Sequence, residues 1–295
     1  MKILTPAKIN LFLEVGRKRG KLHPVVSLIE PISLFDTIEI KKSKNTKITF
    51  HSEWEIPENN TVKKAVDLFR KKFNFDDGIE INIWKKIPPG SGLGGGSSDA
   101  AAILKNLPRL FGLNLKKEEL VNMAIEIGSD VPFFLYNKIS IVSGYGEIVE
   151  PFDINTPIYY LLLIPDREIP TSEVYNQLDK NGKFGDLTKG KEKIKILIDL
   201  IKNADFEKMS KIMFNRLESF CFQLWKEGKE VMERLEKLSG RSFFLSGSGG
   251  CMFSLFREEN EVREVSFKIV PEGWKSFIVK SFQQLKQKEE SDGNN

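Results

Sequence analysis

Cysteine and histidine are scarce: 295 residues hold two of each, Cys221, Cys251, His23 and His51. Two cysteines cannot build a disulfide framework, and with so few histidines they cannot complete a structural zinc site. A reducing, cytoplasmic setting is the expectation. Long apolar runs are missing too. The longest, at 158–164, falls far short of the roughly 20 residues that span a bilayer. The opening Met-Lys-Ile-Leu-Thr-Pro lacks the apolar region of a signal peptide, so no membrane partner is expected. Charge of one sign is weak, since 45 Lys and Arg against 41 Asp and Glu leave a formal +4. The basic residues are scattered in short pairs such as Lys41/Lys42, Lys63/Lys64 and Lys116/Lys117, and no nucleic-acid partner is expected. What is left is an ordinary globular composition, in a chain long enough for about two domains.

Hydrophobic spacing reads as strands mixed with helices. Ile9, Leu11, Leu13 and Val15 alternate with mostly polar positions, the period of a half-buried strand. Residues 25–41 are β-rich, with breaks expected at Pro31 and near Phe35-Asp36. Asn60 suits the N-cap of a helix whose Val62, Ala65, Val66, Phe69 and Phe73 share a face. Ile79, Ile81 and Ile83 mark another strand. A helix from about Ser98 is expected to stop or kink at Pro108, and another covers 116–127. The second half predicts strands at 159–164, 242–245, 251–256 and 276–282. Helices are expected at 172–178 and through most of 191–238, with a polar loop at 181–191 and a disordered tail at 283–295. The fold class is α+β, with an N-terminal domain over 1–150 and a C-terminal domain over 155–282.

The most informative segment is Pro88-Pro89-Gly90-Ser91-Gly92-Leu93-Gly94-Gly95-Gly96-Ser97-Ser98-Asp99, set between a strand and a helix. Five glycines in seven residues suit a backbone nest, in which main-chain N–H groups meet phosphate oxygens at a helix N-terminus. An ordinary tight turn rarely needs so many. A Walker A loop requires a lysine that this segment lacks. Gly90, Gly92 and Gly95 match the dinucleotide spacing, but residues 115–118 read as a helix start where that motif needs an acid ending a strand. The protein-kinase loop is excluded by the absence of H-R-D and D-F-G.

Three more segments stand apart: Pro6-Ala7-Lys8-Ile9-Asn10-Leu11, Gly128-Ser129-Asp130-Val131-Pro132 and Ser246-Gly247-Ser248-Gly249-Gly250. Alone, Lys8 reads equally as a solvated strand lysine and Asp130 as a helix cap. In this order, and with P-x-G-x-G-L-G-G-G-S-S-D-A-A-A, they resemble the GHMP small-molecule kinases over residues 6–256. The resemblance implies two α+β domains with the active site in the cleft between them. It implies transfer of the γ-phosphoryl of ATP, carried with Mg²⁺, to an alcohol. The P-A-K-I-N-L-F-L start and the triple glycine resemble members acting on cytidine diphosphate methylerythritol in isoprenoid precursor synthesis. A homoserine, mevalonate or sugar kinase is the alternative, and a non-catalytic ligand sensor a further one.

By the same resemblance Asp130 takes the hydroxyl proton and Lys8 is its partner. Pro88, Pro89, Gly90, Ser91, Gly92, Leu93, Gly94, Gly95, Gly96, Ser97 and Ser98 wrap the ATP phosphates. No metal ligand is assigned; from their place beside the loop, the Ser97 and Ser98 hydroxyls are the groups offered to Mg²⁺ carried with ATP, Ser98 foremost. Asn60 and Lys85 fall near adenine. Asn10, His23, Tyr175, Gly247, Ser248 and Gly249 hold the acceptor, with Tyr175 stacking on cytosine and His23 bonding its edge. Leu22 stands where relatives carry an aromatic. The implied assembly is a monomer or homodimer.

Overall fold

A computed structural model describes residues 1–282; the tail at 283–295 lies outside the described residues. The N-terminal half runs β1 (Lys2–Val15), β2 (Val25–Ser43), β3 (Lys47–His51), α1 (Thr61–Phe73), β4 (Gly78–Trp84) and α2 (Gly95–Leu110). It continues α3 (Lys117–Ile127), α4 (Val131–Phe134), β5 (Ser140–Gly144) and β6 (Ile148–Pro151). Then come β7 (Tyr159–Ile164), α5 (Thr171–Asn181), α6 (Leu187–Lys202), α7 (Phe206–Ile212), β8 (Phe214–Asn215) and α8 (Glu218–Leu224). The last elements are α9 (Lys226–Ser239), β9 (Phe244–Leu245), β10 (Met252–Phe256), α10 (Glu259–Ile269) and β11 (Lys275–Lys280).

Two sheets organise these elements. One has the order β3-β4-β2-β1-β8, with β5 branching from β2 and β6 from β5; the other has the order β11-β7-β10-β9. Strand β1 is buried on both faces from Thr5 to Val15, so polar residues within it need specific partners. The break expected at Pro31 does not occur. Pro31 faces Lys8 across the β1–β2 pair, while the Lys8 N–H donates to Leu93 and the Pro31 carbonyl accepts from Phe282. The pair is a non-hydrogen-bonded one, and the ladder to β1 loses nothing to the missing proline N–H. The expected irregularity near Phe35 is real: the register shifts between Pro6 and Ala7, which face Phe35 and Ile32.

Helix α2 begins at Gly95, three residues ahead of the expected Ser98, and Pro108 sits in its final turn. Much of the loop expected at 181–191 is helical. Asp186 Oδ1 accepts from the Thr188 and Lys189 N–H groups to cap α6, and Ile194, Leu197 and Ile201 bury one face while the lysines point outward. Strands β3, β5 and β6 had no sequence assignment.

Three apolar clusters hold the layers together. One packs α1, α2, α3 and α4 on the first sheet, through residues such as Phe69, Ile103 and Phe133. A second packs α5, α8, α9 and α10 on the outer face of the second sheet. The third joins both sheets, with Ile9, Phe12 and Leu28 against Tyr160, Leu162 and Phe253. In this last core Glu30 accepts a hydrogen bond from the Tyr160 hydroxyl. Burial pushes the Glu30 carboxyl from the ordinary 4.5 up to about 7, against the opposing pull of that bond. Below 4.5 both folded and unfolded chains keep the proton, and the unfolded chain gives it up first as pH rises. Stability therefore declines from 4.5 through about 7; at about 1.4 kcal/mol per pH unit this amounts to roughly 3 kcal/mol. Glu30→Gln keeps an acceptor for Tyr160 but cannot ionise. Denaturation curves at about pH 5 and about pH 8 are expected to separate less for the variant than for the wild type, by roughly that amount. Equal separation in both proteins would refute the assignment.

Candidate active site

A cleft of about 590 Å³ opens between the two sheets' loops. Lys8 lies in its floor, 3% exposed, on the doubly buried stretch of β1. Its Nζ donates to Asn10 Oδ1 at 2.7 Å. Asn10 Nδ2 donates to Ser27 Oγ at 2.9 Å, and Ser27 donates to the Phe12 carbonyl at 2.6 Å. This relay fixes the Asn10 amide with its oxygen toward the ammonium. Asp130 Oδ2 stands 3.6 Å from Lys8 Nζ, and its side chain is 43% exposed. Asp130 opens α4 but makes no side-chain cap bond, so its carboxylate is free to face the cleft.

The glycine-rich segment forms the next wall. The Lys8 N–H donates to the Leu93 carbonyl at 2.9 Å, tying the loop to the same strand. Gly92 has φ +80°, and a Cβ there would come within 2.1 Å of the Ser246 carbonyl oxygen. Only glycine lets the two loops meet this closely. Ser246 Oγ donates back to the Gly92 carbonyl at 3.0 Å, and the Cys251 N–H donates to the Ser91 carbonyl at 3.0 Å. Behind the loop, Thr61 at the start of α1 donates to the Gly96 carbonyl at 2.6 Å. The starts of α1 and α2 thus converge on one loop.

Of the residues expected in the site, Lys8, Asn10, His23, Gly92, Gly94, Ser97, Asp130, Tyr175, Gly247 and Ser248 line the cleft together. Pro88, Pro89, Gly90, Ser91, Leu93, Gly95, Gly96 and Ser98 lie outside that lining, as do Asn60, Lys85 and Gly249, and His23 lines the cleft with its ring nitrogens already covered. Asn60 spends its amide on structure: Oδ1 accepts from the Lys63 N–H and Nδ2 donates to the Pro57 carbonyl. Lys85 is buried away from the cleft wall, between Asp36 and Asp99. The His23 ring is buried, with Nδ1 on the Gly16 carbonyl and Tyr175 and Phe184 packed around it. Its Nε2 lies 3.2 Å from Asp179 Oδ1, out of line for a hydrogen bond, and is covered by protein. The ring therefore braces Tyr175 and does not present an open edge to a base. Gly249 is buried against the Cys221 thiol. Burial pushes the phenol of Tyr175 up, with the Asp130 charge adding to it, so the O–H stays protonated.

The Lys85 cluster had no sequence assignment, although a signal was present. Asp99 stands at the head of the apolar Ala100-Ala101-Ala102-Ile103-Leu104 run of α2, and a carboxylate buried there needs a cation. Lys85 Nζ donates to Asp36 and, at 2.7 Å, to Asp99 Oδ2; Thr5 donates to Asp99 Oδ1 at 2.7 Å. Asp36 Oδ1 accepts from the Lys86 and Ile87 N–H groups, just where the chain enters the glycine segment. Burial pushes Asp99 up to about 6 against the pull of Lys85, and Asp36 adds to the rise. Burial pulls Lys85 down, but the two carboxylates outweigh it and hold the ammonium above its ordinary value.

A glycine-rich loop leading into a helix N-terminus, a lysine–aspartate pair and a cleft that both line are features expected of a small-molecule phosphotransferase. Comparison with known proteins agrees. Residues 60–138 match the family model for the GHMP kinases N terminal domain, and residues 197–276 that for the GHMP kinases C terminal. A 4-diphosphocytidyl-2-C-methyl-D-erythritol kinase of Thermotoga petrophila is 35% identical over 258 residues, 86% of this chain and 92% of its own. Its counterpart in Lachnoclostridium phytofermentans is 32% identical over 285 residues, 94% of this chain and 96% of its own. A crystal structure of 4-(cytidine 5'-diphospho)-2C-methyl-D-erythritol kinase aligns with TM-score 0.78 and 28% identity, covering 96% of this chain and 100% of that one. A homoserine kinase from Cytophaga hutchinsonii shares the fold, at TM-score 0.73 and 20% identity over 96% and 94% of the two chains. The chain belongs to the GHMP kinase family, whose members use ATP as the phosphate donor.

Lys85 gives a direct test of the geometry. Lys85→Met leaves two buried carboxylates without their cation, and the expected loss of unfolding free energy is about 3–5 kcal/mol. Urea denaturation measures it. Unchanged stability with a raised KM for ATP would instead make Lys85 a nucleotide ligand.

Proposed function

We propose that this protein transfers the γ-phosphoryl group of ATP to the 2-hydroxyl of 4-diphosphocytidyl-2-C-methyl-D-erythritol. The observation that carries the reading is the buried Lys8 ammonium, set within reach of a free carboxylate and beside the glycine-rich loop. Relatives bearing that enzyme's name over nearly their full length support the choice of acceptor. In the proposed step Asp130 accepts the proton of the 2-hydroxyl as its oxygen bonds to the γ-phosphorus. The bond from that phosphorus to the β–γ bridging oxygen breaks, and ADP leaves with the electron pair. Lys8 neutralises charge on the oxygens around the reacting centre. Backbone N–H groups around Gly92 and Gly94 face the phosphates, and Tyr175 offers a ring to the cytosine with His23 braced behind it.

Mg²⁺ fits this donor set only as a companion of ATP. Among the described residues no group of three or more His, Cys, Asp or Glu side chains could hold a metal. Asp99 is committed to Lys85 and Thr5, whereas the Ser97 hydroxyl lines the cleft and the buried Ser98 Oγ has no hydrogen-bond partner. Mg²⁺ bound mainly through phosphates and water would lower the charge of the transferring group.

The deciding assay offers ATP with cytidine diphosphate methylerythritol, mevalonate and homoserine in parallel. Turnover is expected with the first alone. Asp130→Asn keeps the shape and removes the proton acceptor, so kcat is expected to fall by about 10²–10⁴-fold with ATP affinity nearly unchanged. Near-normal turnover in that variant would remove Asp130 from the role of base. Tyr175→Ala is expected to raise the KM for the cytidine substrate, by the loss of about 1–3 kcal/mol of stacking; an unchanged KM would place the base elsewhere.

A further inference from the structure

The serine–glycine loop at 246–250 reaches the cleft from the second sheet, yet what aims it comes from the first. Strand β8 is two residues long and pairs in parallel with β1, Phe214 beside Phe12 and Asn215 beside Leu13. Asn215 is 8% exposed, and its side-chain amide is fully engaged. Nδ2 donates to the Leu245 carbonyl at 2.9 Å and to the Gly247 carbonyl at 2.8 Å; Oδ1 accepts from the Leu217 N–H at 3.0 Å. Those two carbonyls bracket the turn that enters the loop.

The consequence follows from peptide geometry. In a trans peptide the C=O and the next N–H point in opposite directions, and no peptide bond among the described residues is cis. With the Gly247 carbonyl held back by Asn215, the Ser248 N–H points away from Asn215, on the side where Gly247 and Ser248 line the cleft. Among the described residues the Ser248 N–H has no protein partner. A Cβ built on Gly247 would lie 3.3 Å from Lys8 Nζ, so this peptide adjoins the ammonium. One strand thus carries Lys8 and Asn10 and, through β8, orients the opposite wall.

We infer that Asn215 is a positioning residue for phosphoryl transfer: it aims the Ser248 N–H at the oxygens gathered beside Lys8, and so fixes the acceptor against the γ-phosphate. The assignment rests on the phosphotransferase reading above but not on which alcohol is the acceptor. A wall released from its anchor lets the acceptor hydroxyl drift, and a misplacement of about 1 Å can cost on the order of 10²-fold in rate. Water is not held by that wall. It would still attack the γ-phosphorus, breaking the bond to the bridging oxygen and yielding ADP and inorganic phosphate.

The experiment measures ADP and phosphorylated alcohol in the same reaction for wild type, Asn215→Ala and Asn215→Asp. The aspartate is the same size, keeps the acceptor for Leu217, and turns a carboxylate oxygen on two carbonyls where there was a donor. ATP affinity by calorimetry and melting temperature are recorded alongside. Both variants are expected to stay folded and to bind ATP as the wild type does. Product formation should fall about 10–100-fold while the ratio of ADP to product rises clearly above one. A ratio of one at wild-type kcat in either folded variant overturns the inference. If both variants simply unfold at assay temperature, Asn215 is a structural strut and the inference is equally overturned. Should the wild type phosphorylate a different alcohol, the acceptor reading above fails, while the same ratio measured with that alcohol still decides the role of Asn215.

Discussion

A lysine ammonium sunk into the floor of a cleft is the constraint on which the rest of this structure turns. Lys8 has one carboxylate within reach, at 3.6 Å, and that carboxylate is itself 43% exposed. A buried cation is costly unless it is paired and hydrogen-bonded. The fold meets that cost in part, with the Asn10 amide held by Ser27, which in turn donates to the Phe12 carbonyl. Glycine-rich backbone from two loops and the Asp130 carboxylate stand around Lys8, and Lys18 and Lys21 line the same cleft.

Two further buried ionisable centres do different work. The Lys85 cluster carries two carboxylates on one ammonium and is closed to the cleft. It pins the entry to the glycine segment through the Lys86 and Ile87 N–H groups, and the first turn of α2 through Asp99. Glu30 and Tyr160 meet between the sheets, 130 residues apart in sequence. Both centres couple the active-site frame to global stability, so a change in either alters folding before it alters chemistry. Lys8 is the reverse case, since it lines the cleft and its carboxylate partner is 43% exposed.

How much could be read from sequence depended on whether partners were close along the chain. The glycine segment announces itself because its chemistry is local, a run of glycines between strand and helix; Lys8, Asn10 and Asp130 are ambiguous alone and stand out only through the order of motifs that resembles a known family. The α+β class and most element positions came from periodicity in the same way. Partners far apart were not readable. Lys85 looked like a nucleotide contact because its carboxylates lie 49 and 14 residues away. His23 is offered to a base only by resemblance, and nothing in Leu22-His23-Pro24 says that Tyr175 and Phe184 close over its ring. Asn215 gave no signal at all, since two residues of strand between helices carry no period.

The same distinction explains why the loops, and not the strands, hold the surprises. A strand's place is set by alternation and by its neighbours, and Pro31 is absorbed because the pair it joins needs no N–H from it. The loop at 246–250 has no such rule. Its approach to Gly92 demands that Ser246 stand almost against the Gly92 α-carbon, which glycine alone permits, and its peptide orientation depends on one amide reaching across from β8. Two loops from different sheets are thereby fixed to one strand, β1, by the Lys8 N–H on one side and by the β8 pairing on the other. The reacting groups of both sheets thus share a single reference, and relative movement of the sheets would have to stretch contacts to β1 before it could change the distance across the cleft.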